Sequence, residues 1–311
     1  MSDNSTSNAP MISVVIPTLN REAPLRTVLT YFLEVEQYPR FEIIVVDQSD
    51  KHDAETISFL QKYDLQLIYV RVNYKSLPKA RNDGVNLAKG EIVLFVDDDC
   101  VPSHGFLAAH AIEYRDQKII GVAGPTPLPG QQLLSREAIG EERFKSLIET
   151  KAMRFDVDFS FDAQWAQGAN CSFRRAMIVT IGGFDEGFPG VATGEDAEFS
   201  NRARKIGLIR YAPSAYLVHE HVSTGGCRDV NSRRAYVKCA AFCANYFWFR
   251  VGCTPWTRFR EIWRKFRAEV FGKNEYTLQA AIGFFEGLVA SSVYIYGITR
   301  KQRREGRALS L

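Results

Sequence analysis

The feature that most constrains the fold of this chain is a short apolar segment that runs directly into acidic residues. Residues 92–96 read Ile-Val-Leu-Phe-Val, and Asp97, Asp98 and Asp99 follow. An apolar run rich in β-branched residues predicts a strand buried on both faces, as in a mostly parallel sheet covered by helices. Ligands of such sheets collect at the carboxyl ends of the strands, and a divalent cation relieves the repulsion between crowded carboxylates. A solvated acidic turn after a core strand is the alternative interpretation.

The segments before this strand alternate between strand and helix patterns. The predicted strands are 12–16, 41–46 and 65–72. Helical patterns lie between the strands, and one more, at 77–90, leads into the acidic strand. This alternation favours a doubly wound α/β sheet with right-handed crossovers. Because the carboxyl ends of parallel strands share one edge, Thr18, Asp47 and Asp97 are expected to lie together there, beside a bound nucleotide.

The second half of the chain has a less regular pattern. Its predicted strands are 119–123, 208–211 and 215–218, and the last of them runs into His219. The charged segment 131–162 has no clean period and is expected to be a variable loop with some helix. Glu195 and Asp196 open a predicted helix, where the helix dipole favours ionised carboxylates.

Composition and charge narrow the classes of protein that fit. With 311 residues, the chain can form one large domain or one domain with an appendage. The net charge of +3 is too small to predict nucleic-acid binding, and the basic residues gather locally in the last fifth of the chain. The six cysteines include no Cys-x-x-Cys pair, and residues 1–10 are polar. We therefore expect a disordered N-terminus and a reducing, cytoplasmic location.

Six short motifs carry polar or glycine residues at the ends of the predicted elements. They are 14–21 (Val-Val-Ile-Pro-Thr-Leu-Asn-Arg), 44–49 (Ile-Val-Val-Asp-Gln-Ser), 80–84 (Ala-Arg-Asn-Asp-Gly), 95–99 (Phe-Val-Asp-Asp-Asp), 182–186 (Gly-Gly-Phe-Asp-Glu) and 194–196 (Gly-Glu-Asp). In this order and spacing, the segment from residue 12 to about residue 221 resembles the inverting nucleotide-sugar glycosyltransferases of family 2. The resemblance implies the GT-A fold, a Rossmann-like α/β fold with helices on both faces of a mostly parallel sheet, at residues 11–225. A C-terminal helical appendage at 226–311 would follow it.

The resemblance also implies a role for each polar strand end. Asp97 and Asp99 form the Asp-x-Asp motif, in which Asp97 faces the ribose and Asp99 holds a Mg²⁺ or Mn²⁺ ion between the two phosphates, with Asp97 as a further metal ligand. Asp47 is expected to accept from the ring N–H of the base, and Arg81 to contact the nucleotide. The other residues expected in the nucleotide-sugar site are Pro17, Thr18, Asn20, Arg21 and Asp98. The alternatives are turn capping for Asp47 and Asn20, and a helix-surface charge for Arg81.

Inversion by a single displacement requires a base on the face of the sugar opposite the diphosphate. The resemblance assigns this role to Asp196, with Glu195 beside it to orient the acceptor or to act in its place. The alternative is that both carboxylates only cap a helix. His219 follows a strand at a point where related GT-A enzymes often place a third metal ligand. A phosphate contact is the other role considered for His219, and an ordinary core position is the alternative.

The last quarter of the chain has a helical pattern rich in aromatic and basic residues. Residues 276–298 are mostly apolar and precede a basic run at 300–307. Because Glu286 near the middle disfavours a bilayer crossing, we expect packed helices whose basic, aromatic face rests on an anionic membrane surface. A plain helical tail is the alternative. The chain lacks the Gln-x-x-Arg-Trp motif of processive synthases, which favours the addition of a single sugar.

The resemblance implies an inverting, metal-dependent glycosyltransferase, and the absence of the processive motif favours one that is not processive. The donor is expected to be a nucleotide diphosphate sugar, a UDP-sugar by family expectation, and the acceptor a hydroxyl of a glycan, a lipid-linked molecule or a small molecule. A degenerate nucleotide-sugar-binding or scaffold protein is the alternative, against which the intact Asp97, Asp99 and Asp196 argue. The residues after Asp99 do not form the motif of a haloacid dehalogenase. A nucleotidyltransferase would need a glycine-rich phosphate loop after the first strand, and residues 17–20 (Pro-Thr-Leu-Asn) do not form one.

Overall fold

The computed structural model describes residues 9–142, 155–190, 192–226, 232–271 and 278–304. The elements of the first part are β1 (Ile12–Thr18), α1 (Ala23–Thr30), β2 (Phe41–Asp47), α2 (Ala54–Lys62), β3 (Ile68–Arg71), α3 (Leu77–Leu87), β4 (Ile92–Val96), β5 (Cys100–Pro102), α4 (Phe106–Glu113) and β6 (Ile119–Ala123). Those of the second part are α5 (Arg136–Ile139), β7 (Phe161–Ala163), β8 (Asn170–Arg174), α6 (Arg175–Thr180), α7 (Glu195–Ala203), β9 (Leu208–Tyr211), β10 (Leu217–His219), α8 (Arg233–Arg250), α9 (Pro255–Val270) and α10 (Leu278–Arg304).

Eight strands form one mixed sheet in the order β3-β2-β1-β4-β8-β6-β9-β7. The strands β3, β2, β1 and β4 are parallel, and β6 is parallel to β9. β8 runs antiparallel to both β4 and β6, and β7 runs antiparallel to β9. The parallel register of β1 and β2 sets Thr18 beside Asp47, and β4, which ends next to Asp97, is the other neighbour of β1. The predicted shared edge of these three strand ends is therefore confirmed.

The central strands are apolar throughout because helices cover both faces of the sheet. Every residue of β1 and β4 is buried. Side chains alternate between two apolar clusters: Val14 and Leu94 belong to one cluster, and Val15 and Phe95 belong to the other. This alternation follows from the two-residue repeat of a strand, and it is why the apolar run at 92–96 indicates a doubly buried strand.

The chain divides into two compact units. The first contains the sheet and its flanking helices, and the second consists of residues 76–78, 185–198 and 227–311. In the second unit, α10 packs along α8 at short range because two of its residues are glycines. An added Cβ would lie 2.4 Å from the Arg234 carbonyl oxygen at Gly283 and 2.1 Å from the Lys238 carbonyl oxygen at Gly287. By length and composition alone, α10 could cross a membrane, and 28% of its most apolar window is buried.

The structure differs from the sequence expectations in the bounds of several elements. The strand expected at 65–72 is only Ile68–Arg71, because Leu65 lies in a turn and is 95% exposed. The strand expected at 215–218 is Leu217–His219, because a turn ends with the Ala215 N–H donating to the Ala212 carbonyl.

Some expectations fall partly outside the described residues. Within the variable segment 131–162, residues 143–154 are not described, and the remainder contains the short helix α5. Residues 1–8 of the N-terminus also lie outside the described part. The expected domain boundary at residue 225 stays a prediction, and residues 185–198 group with the C-terminal helices in the division into two units.

Candidate functional site

The three acidic residues after β4 lie in three different environments. The side chain of Asp97 is 28% exposed, whereas Asp98 and Asp99 are buried. The Thr18 hydroxyl donates to Oδ2 of Asp98 at 2.6 Å, and the Arg21 guanidinium lies 3.7 Å from Oδ1 of the same residue. Burial raises the pKa of Asp98 to about 7, although Arg21 and Thr18 oppose this effect. Asp98 and Arg21, which the sequence placed in the nucleotide site, are thus partners of each other inside the protein.

Of the three carboxylates, Asp99 has the most hydrogen-bond and ion-pair partners within the protein. Its Oδ2 lies 2.8 Å from Nη1 of Arg21 and accepts the backbone N–H of Val222 at 3.0 Å. Its Oδ1 lies 3.1 Å from Nε2 of His219. Burial favours the neutral acid, but His219 and Arg21 outweigh it and hold the pKa of Asp99 below its usual range. The carboxylate is therefore ionised and available as a ligand at neutral pH.

A separate two-stranded ribbon brings His219 to Asp99. β5 and β10 pair antiparallel, and their register sets His219 opposite Cys100, the residue that follows Asp99. His219 is buried, and in the part of the chain that the structure describes its Nδ1 has no hydrogen-bond partner. A buried polar atom without a partner is costly, so it indicates a missing group such as a water or an ion.

The donor atoms at this point fit a divalent cation. One ligand atom each from Asp99, Cys100 and His219 lies within 4.8 Å of the others. Burial raises the pKa of the Cys100 thiol well above its usual range, and its sulfur lies 3.7 Å from the Ala169 carbonyl oxygen. The carboxylate and the imidazole are the stronger ligands of the three, because metals bind the thiolate rather than the thiol.

Arg81 of α3 lies beneath the exposed carboxylate of Asp97. The guanidinium is fully buried, with Nη2 3.4 Å from Oδ1 of Asp97 and the group 5.3 Å from the ring centre of Phe184. Gly168 leaves room for it, since a Cβ there would lie 2.3 Å from Nη2. The alternative interpretation of Arg81 as a helix-surface charge is therefore wrong, because its side chain reaches inward to the sheet edge.

At the end of β2, Asp47 is fully buried and its carboxylate is held by protein donors. Oδ1 accepts the Ser49 N–H at 2.8 Å, and Oδ2 accepts from Nε2 of His52 at 2.8 Å and from the Tyr69 hydroxyl. The Ser49 bond is the turn cap that the alternative interpretation expected. Recognition of a base by Asp47 stays a prediction.

The sequence patterns did not point to His52 or Tyr69 as neighbours of Asp47. His52 lies between two carboxylates, with Nε2 on Asp47 and Nδ1 3.1 Å from both oxygens of Glu22. The only sequence signal was a histidine shortly after a strand end. Nothing in the pattern of β3 distinguishes Tyr69 from an ordinary strand residue.

The turn after β1 supplies the remaining predicted residues. Pro17 and Thr18 are buried within the strand, whereas Asn20 is exposed and has a φ of 52°. The Asn20 N–H donates to the Ser49 hydroxyl at 2.7 Å, which joins the turns after β1 and β2. Of the residues expected to line the nucleotide site, Asn20 and Asp97 thus have the most accessible side chains.

The third and fifth motifs are joined by the amide of Asn82. Its Nδ2 donates to the Phe184 carbonyl at 2.9 Å, and its Oδ1 accepts the Phe184 N–H at 2.8 Å. Gly183 allows this approach, because it has a φ of 69° and a Cβ there would lie 2.5 Å from Oδ1 of Asn82. The motif at 182–184 therefore has a structural role that local patterning did not reveal.

Glu195 and Asp196 belong to the second unit, where they form the first turn of α7 as expected. Glu195 is buried and Asp196 is half-buried. Gly194 before them has a φ of 96°, a conformation that favours glycine. The structure gives no test of their catalytic roles, which stay predictions.

The chain is similar to known proteins in its sequence and in its fold. The family model described as Glycosyl transferase family 2 matches residues 13–164. Validoxylamine A glucosyltransferase of Streptomyces hygroscopicus subsp. limoneus is 29% identical over 228 residues, which are 66% of this chain and 50% of that protein. Pre-mycofactocin glycosyltransferase of Mycobacterium tuberculosis (strain ATCC 25618 / H37Rv) is 25% identical over 229 residues, 72% of this chain and 45% of that protein. The chain thus spans about half the length of these relatives.

A solved structure shares the fold over nearly the whole chain. The mannosyltransferase PcManGT from Pyrobaculum calidifontis, in complex with GDP-Man and Mn²⁺, superposes with a TM-score of 0.56 at 18% identity. The match covers 96% of this chain and 81% of that one. Together with the strand order and the acidic turn after β4, these similarities show the GT-A fold and support a glycosyltransferase of family 2, whose family model matches residues 13–164 of this chain.

Proposed function

We propose that this protein transfers one sugar from a nucleotide diphosphate sugar to an acceptor hydroxyl, with inversion and with the help of a divalent cation. The observation that carries the proposal is the pair formed by Asp99 and His219, which two strands distant in sequence bring within 3.1 Å of each other. The other ring nitrogen of His219, Nδ1, is buried and has no hydrogen-bond partner among the described residues, which supports the binding of a further group by this imidazole.

The proposed metal ligands are Asp99 and His219, with Asp97 as a further carboxylate. When bound, the cation would supply Lewis-acid stabilisation of the departing diphosphate. The donor set favours Mn²⁺ over Mg²⁺, because imidazole is a ligand of transition metals whereas Mg²⁺ prefers oxygen. Arg21 lies 2.8 Å from the Asp99 carboxylate and, with His219, keeps it ionised, so we propose Arg21 as a positioning residue for the metal ligand. Its expected contact with the nucleotide stays a prediction.

The donor side of the reaction is assigned to Asp97, Arg81 and Asn20. The carboxylate of Asp97, whose side chain is 28% exposed, can accept from ribose hydroxyls, and the buried guanidinium of Arg81 fixes its direction. We propose a UDP-sugar as the donor and a hydroxyl of a glycan, a lipid-linked molecule or a small molecule as the acceptor, in the cytoplasm. The donor and acceptor assignments rest on the resemblance of the six motifs to the family, and the location rests on the cysteine pattern and the polar N-terminus.

Asp196 is proposed as the base that removes the proton of the acceptor, with Glu195 beside it. The first turn of a helix favours the ionised form of both carboxylates, which a base requires. The motif Gly-Glu-Asp at 194–196 and the half-burial of Asp196 support this assignment.

Calorimetry with nucleoside diphosphates tests the proposal without knowledge of the sugar or the acceptor. UDP, dTDP and GDP are titrated into the protein with and without Mn²⁺, and one of them, UDP by our proposal, should bind tightly only with the metal. Asp99→Asn should weaken that binding at least about tenfold. Glu220→Gln is the matched control, because Glu220 is a nearby but exposed carboxylate and its loss should change little.

Two outcomes would contradict the proposal. Binding of none of the three diphosphates to a folded sample would favour the degenerate scaffold protein. Equal binding with and without Mn²⁺, unchanged in Asp99→Asn, would remove the metal from the mechanism.

A further inference from the structure

The long helix α10 presents an apolar face that no described residue covers. This apolar face consists of five side chains that are between 58% and 67% exposed: Leu278, Phe285, Val289, Val293 and Tyr296. Their spacing of seven, four, four and three residues sets them along one side of the helix. The face extends for about 27 Å, given a rise of about 1.5 Å per residue.

The opposite side of α10 is the side that packs on α8. Gly283 and Gly287 lie against the backbone of α8, and Glu286 forms an ion pair with Arg234. Ala280 and Phe284 are buried in the cluster that α8, α9 and α10 share. The helix is therefore anchored from one side, and the exposure of its apolar face is not a consequence of loose packing.

The apolar face leads into a cleft lined by arginines. This arginine cleft has a volume of about 420 Å³ and lies between α9 and the C-terminal end of α10. Its lining consists of Arg258, Ser292, Ile295, Tyr296, Thr299, Arg300 and Arg303. No carboxylate is among these residues, and within the described part of the chain none of the three arginines forms an ion pair. The cleft thus concentrates positive charge without an internal counter-ion.

Arg258 is held in place within this cleft. Its Nε donates to Oδ1 of Asn245 at 2.8 Å, and Asn245 is buried and donates in turn to the Ser291 hydroxyl. Burial lowers the pKa of Arg258, as is expected for a cation that has lost water without gaining an anion. Guanidinium groups bind phosphate oxygens with two parallel hydrogen bonds, so a phosphate fits the charge and the chemistry of this cleft.

The neighbouring helix α9 has the same combination of aromatic and basic residues. Trp256, Phe259 and Trp263 are each more than half exposed. A second cleft on α9 is lined by Arg260, Trp263, Arg264, Arg267, Ala268 and Phe271. Exposed tryptophans beside arginines are typical of helices that lie in the interface of a bilayer rather than across it.

We propose that the arginine cleft binds the phosphate of an anionic membrane phospholipid while the apolar face of α10 lies in the lipid interface. The apolar side chains would enter the boundary between headgroups and acyl chains, and the arginines at the end of the face would meet the headgroup phosphates. This inference concerns the C-terminal helices alone and does not depend on the proposed transferase activity.

Co-sedimentation of the full chain with vesicles tests the inference. Vesicles of phosphatidylcholine with phosphatidylglycerol should bind the protein at least about tenfold more tightly than vesicles of phosphatidylcholine alone. The double substitution Arg300→Ser with Arg303→Ser removes two cleft charges. The matched control, Lys301→Ser with Arg304→Ser, removes two charges from the same turns of α10 that do not line the cleft.

The cleft variant should lose at least about tenfold more affinity for anionic vesicles than the matched control. Equal losses in both variants would show that the charges act only through the surface potential, which overturns the headgroup site. If the wild-type chain did not bind anionic vesicles, the proposal that these helices bind a membrane would be wrong. A partner protein would then be the remaining occupant of the apolar face.

Two further experiments distinguish a membrane phosphate from other phosphates as the group that binds the cleft. Inorganic phosphate, added at constant ionic strength, should not displace the protein from the vesicles, and displacement would assign the cleft to a soluble anion. Binding that requires a polyprenyl phosphate in the vesicles would assign it to a lipid carrier instead. Binding of UDP with Mn²⁺ is measured on both variants and should be unchanged, so that a failure of the donor site is distinguished from a failure of the cleft.

Discussion

Arg250 and Asp185 form an ion pair in which Nε of the guanidinium lies 2.7 Å from Oδ2 of the carboxylate. The same guanidinium reaches Glu198 of α7, with Nη2 3.3 Å from Oε1, and the Tyr246 hydroxyl donates to Asp185 at 3.0 Å. One arginine at the end of α8 thus pairs with carboxylates on two segments of the second unit, Asp185 and Glu198. In this unit, the C-terminal helices are part of the support of α7.

Loss of this arginine should destabilise the chain. Arg250→Met leaves two carboxylates without their cation, and Glu198 is almost completely buried. Because Arg250 itself is one-fifth exposed, the expected loss of unfolding free energy is about 2 kcal/mol, between the values for surface and fully buried pairs. Urea unfolding measures it. Arg260→Met is the control, since that side chain is 65% exposed and its loss should cost less than about 0.5 kcal/mol. Equal losses in the two variants would show that the Arg250 pairs contribute nothing.

Asp196→Asn separates the proposed base from donor binding. The amide keeps the shape of the side chain but cannot accept the proton of the acceptor, so turnover should fall at least about 10³-fold. Binding of UDP with Mn²⁺ should change less than about threefold, because the proposed metal ligands are other residues. Glu195→Gln provides the comparison: if it abolishes turnover and Asp196→Asn does not, the base is Glu195.

Gly168→Ala should displace the buried guanidinium of Arg81 from its position. The added methyl would lie 2.3 Å from Nη2, and the buried guanidinium has little room to move. We expect the free energy of unfolding to fall by about 1–3 kcal/mol, as for other overpacked sites. Gly297→Ala is the control, since a Cβ there meets nothing within 4 Å and alanine is the better helix former. A neutral result for Gly168→Ala would mean that Arg81 can withdraw from Asp97 at no cost.

His110 should make stability depend on pH. Nδ1 lies 2.9 Å from the Ser172 hydroxyl, and Nε2 lies 3.0 Å from Oδ1 of Asn170, whose amide group donates to two backbone carbonyls. Nε2 therefore carries the proton, and the Ser172 hydroxyl donates to Nδ1. Burial lowers the pKa of His110 from 6.5 to about 4, although the Asn170 bond opposes this effect. The folded state thus keeps the imidazole neutral where the unfolded chain takes up a proton.

The sign of the effect follows from this difference in proton binding. Between pH 6.5 and pH 4 the unfolded state binds more protons, so the free energy of unfolding falls as the pH falls, by as much as about 3 kcal/mol. Urea unfolding across this range should show a shallower decline in His110→Gln than in the wild type. His104→Gln, at an exposed position, should keep the wild-type slope. Identical slopes in all three proteins would contradict the prediction.

Local patterns in the sequence were sufficient for the frame of the protein. Doubly buried strands such as β4 need continuous apolar runs, and the turns at their ends need polar residues. These requirements involve neighbours in sequence, so the position of Asp97 to Asp99 at the sheet edge could be predicted. The first turn of α7 was predicted for the same reason, since helix starts depend on adjacent residues.

The tertiary contacts of these residues could not be predicted from local sequence patterns. Local hydropathy and turn patterns do not distinguish Asp98 from Asp99, yet the structure pairs one with Thr18 and the other with His219. For Arg81 the sequence left a helix-surface charge open beside the preferred site role, and only the packing of α3 on the sheet turned its side chain inward.

The alternation of strands and helices, the acidic edge of the sheet and the apolar C-terminal helix could all be predicted from local sequence patterns. Long-range packing set the contact of His219 with Asp99, the burial that lowers the pKa of His110, and the ion pair of Arg250 with Glu198. These two groups of features differ because they depend on interactions over different distances along the chain. Hydropathy and turn chemistry act between neighbours along the chain, whereas the pairing of β5 with β10 depends on the register of strands more than a hundred residues apart.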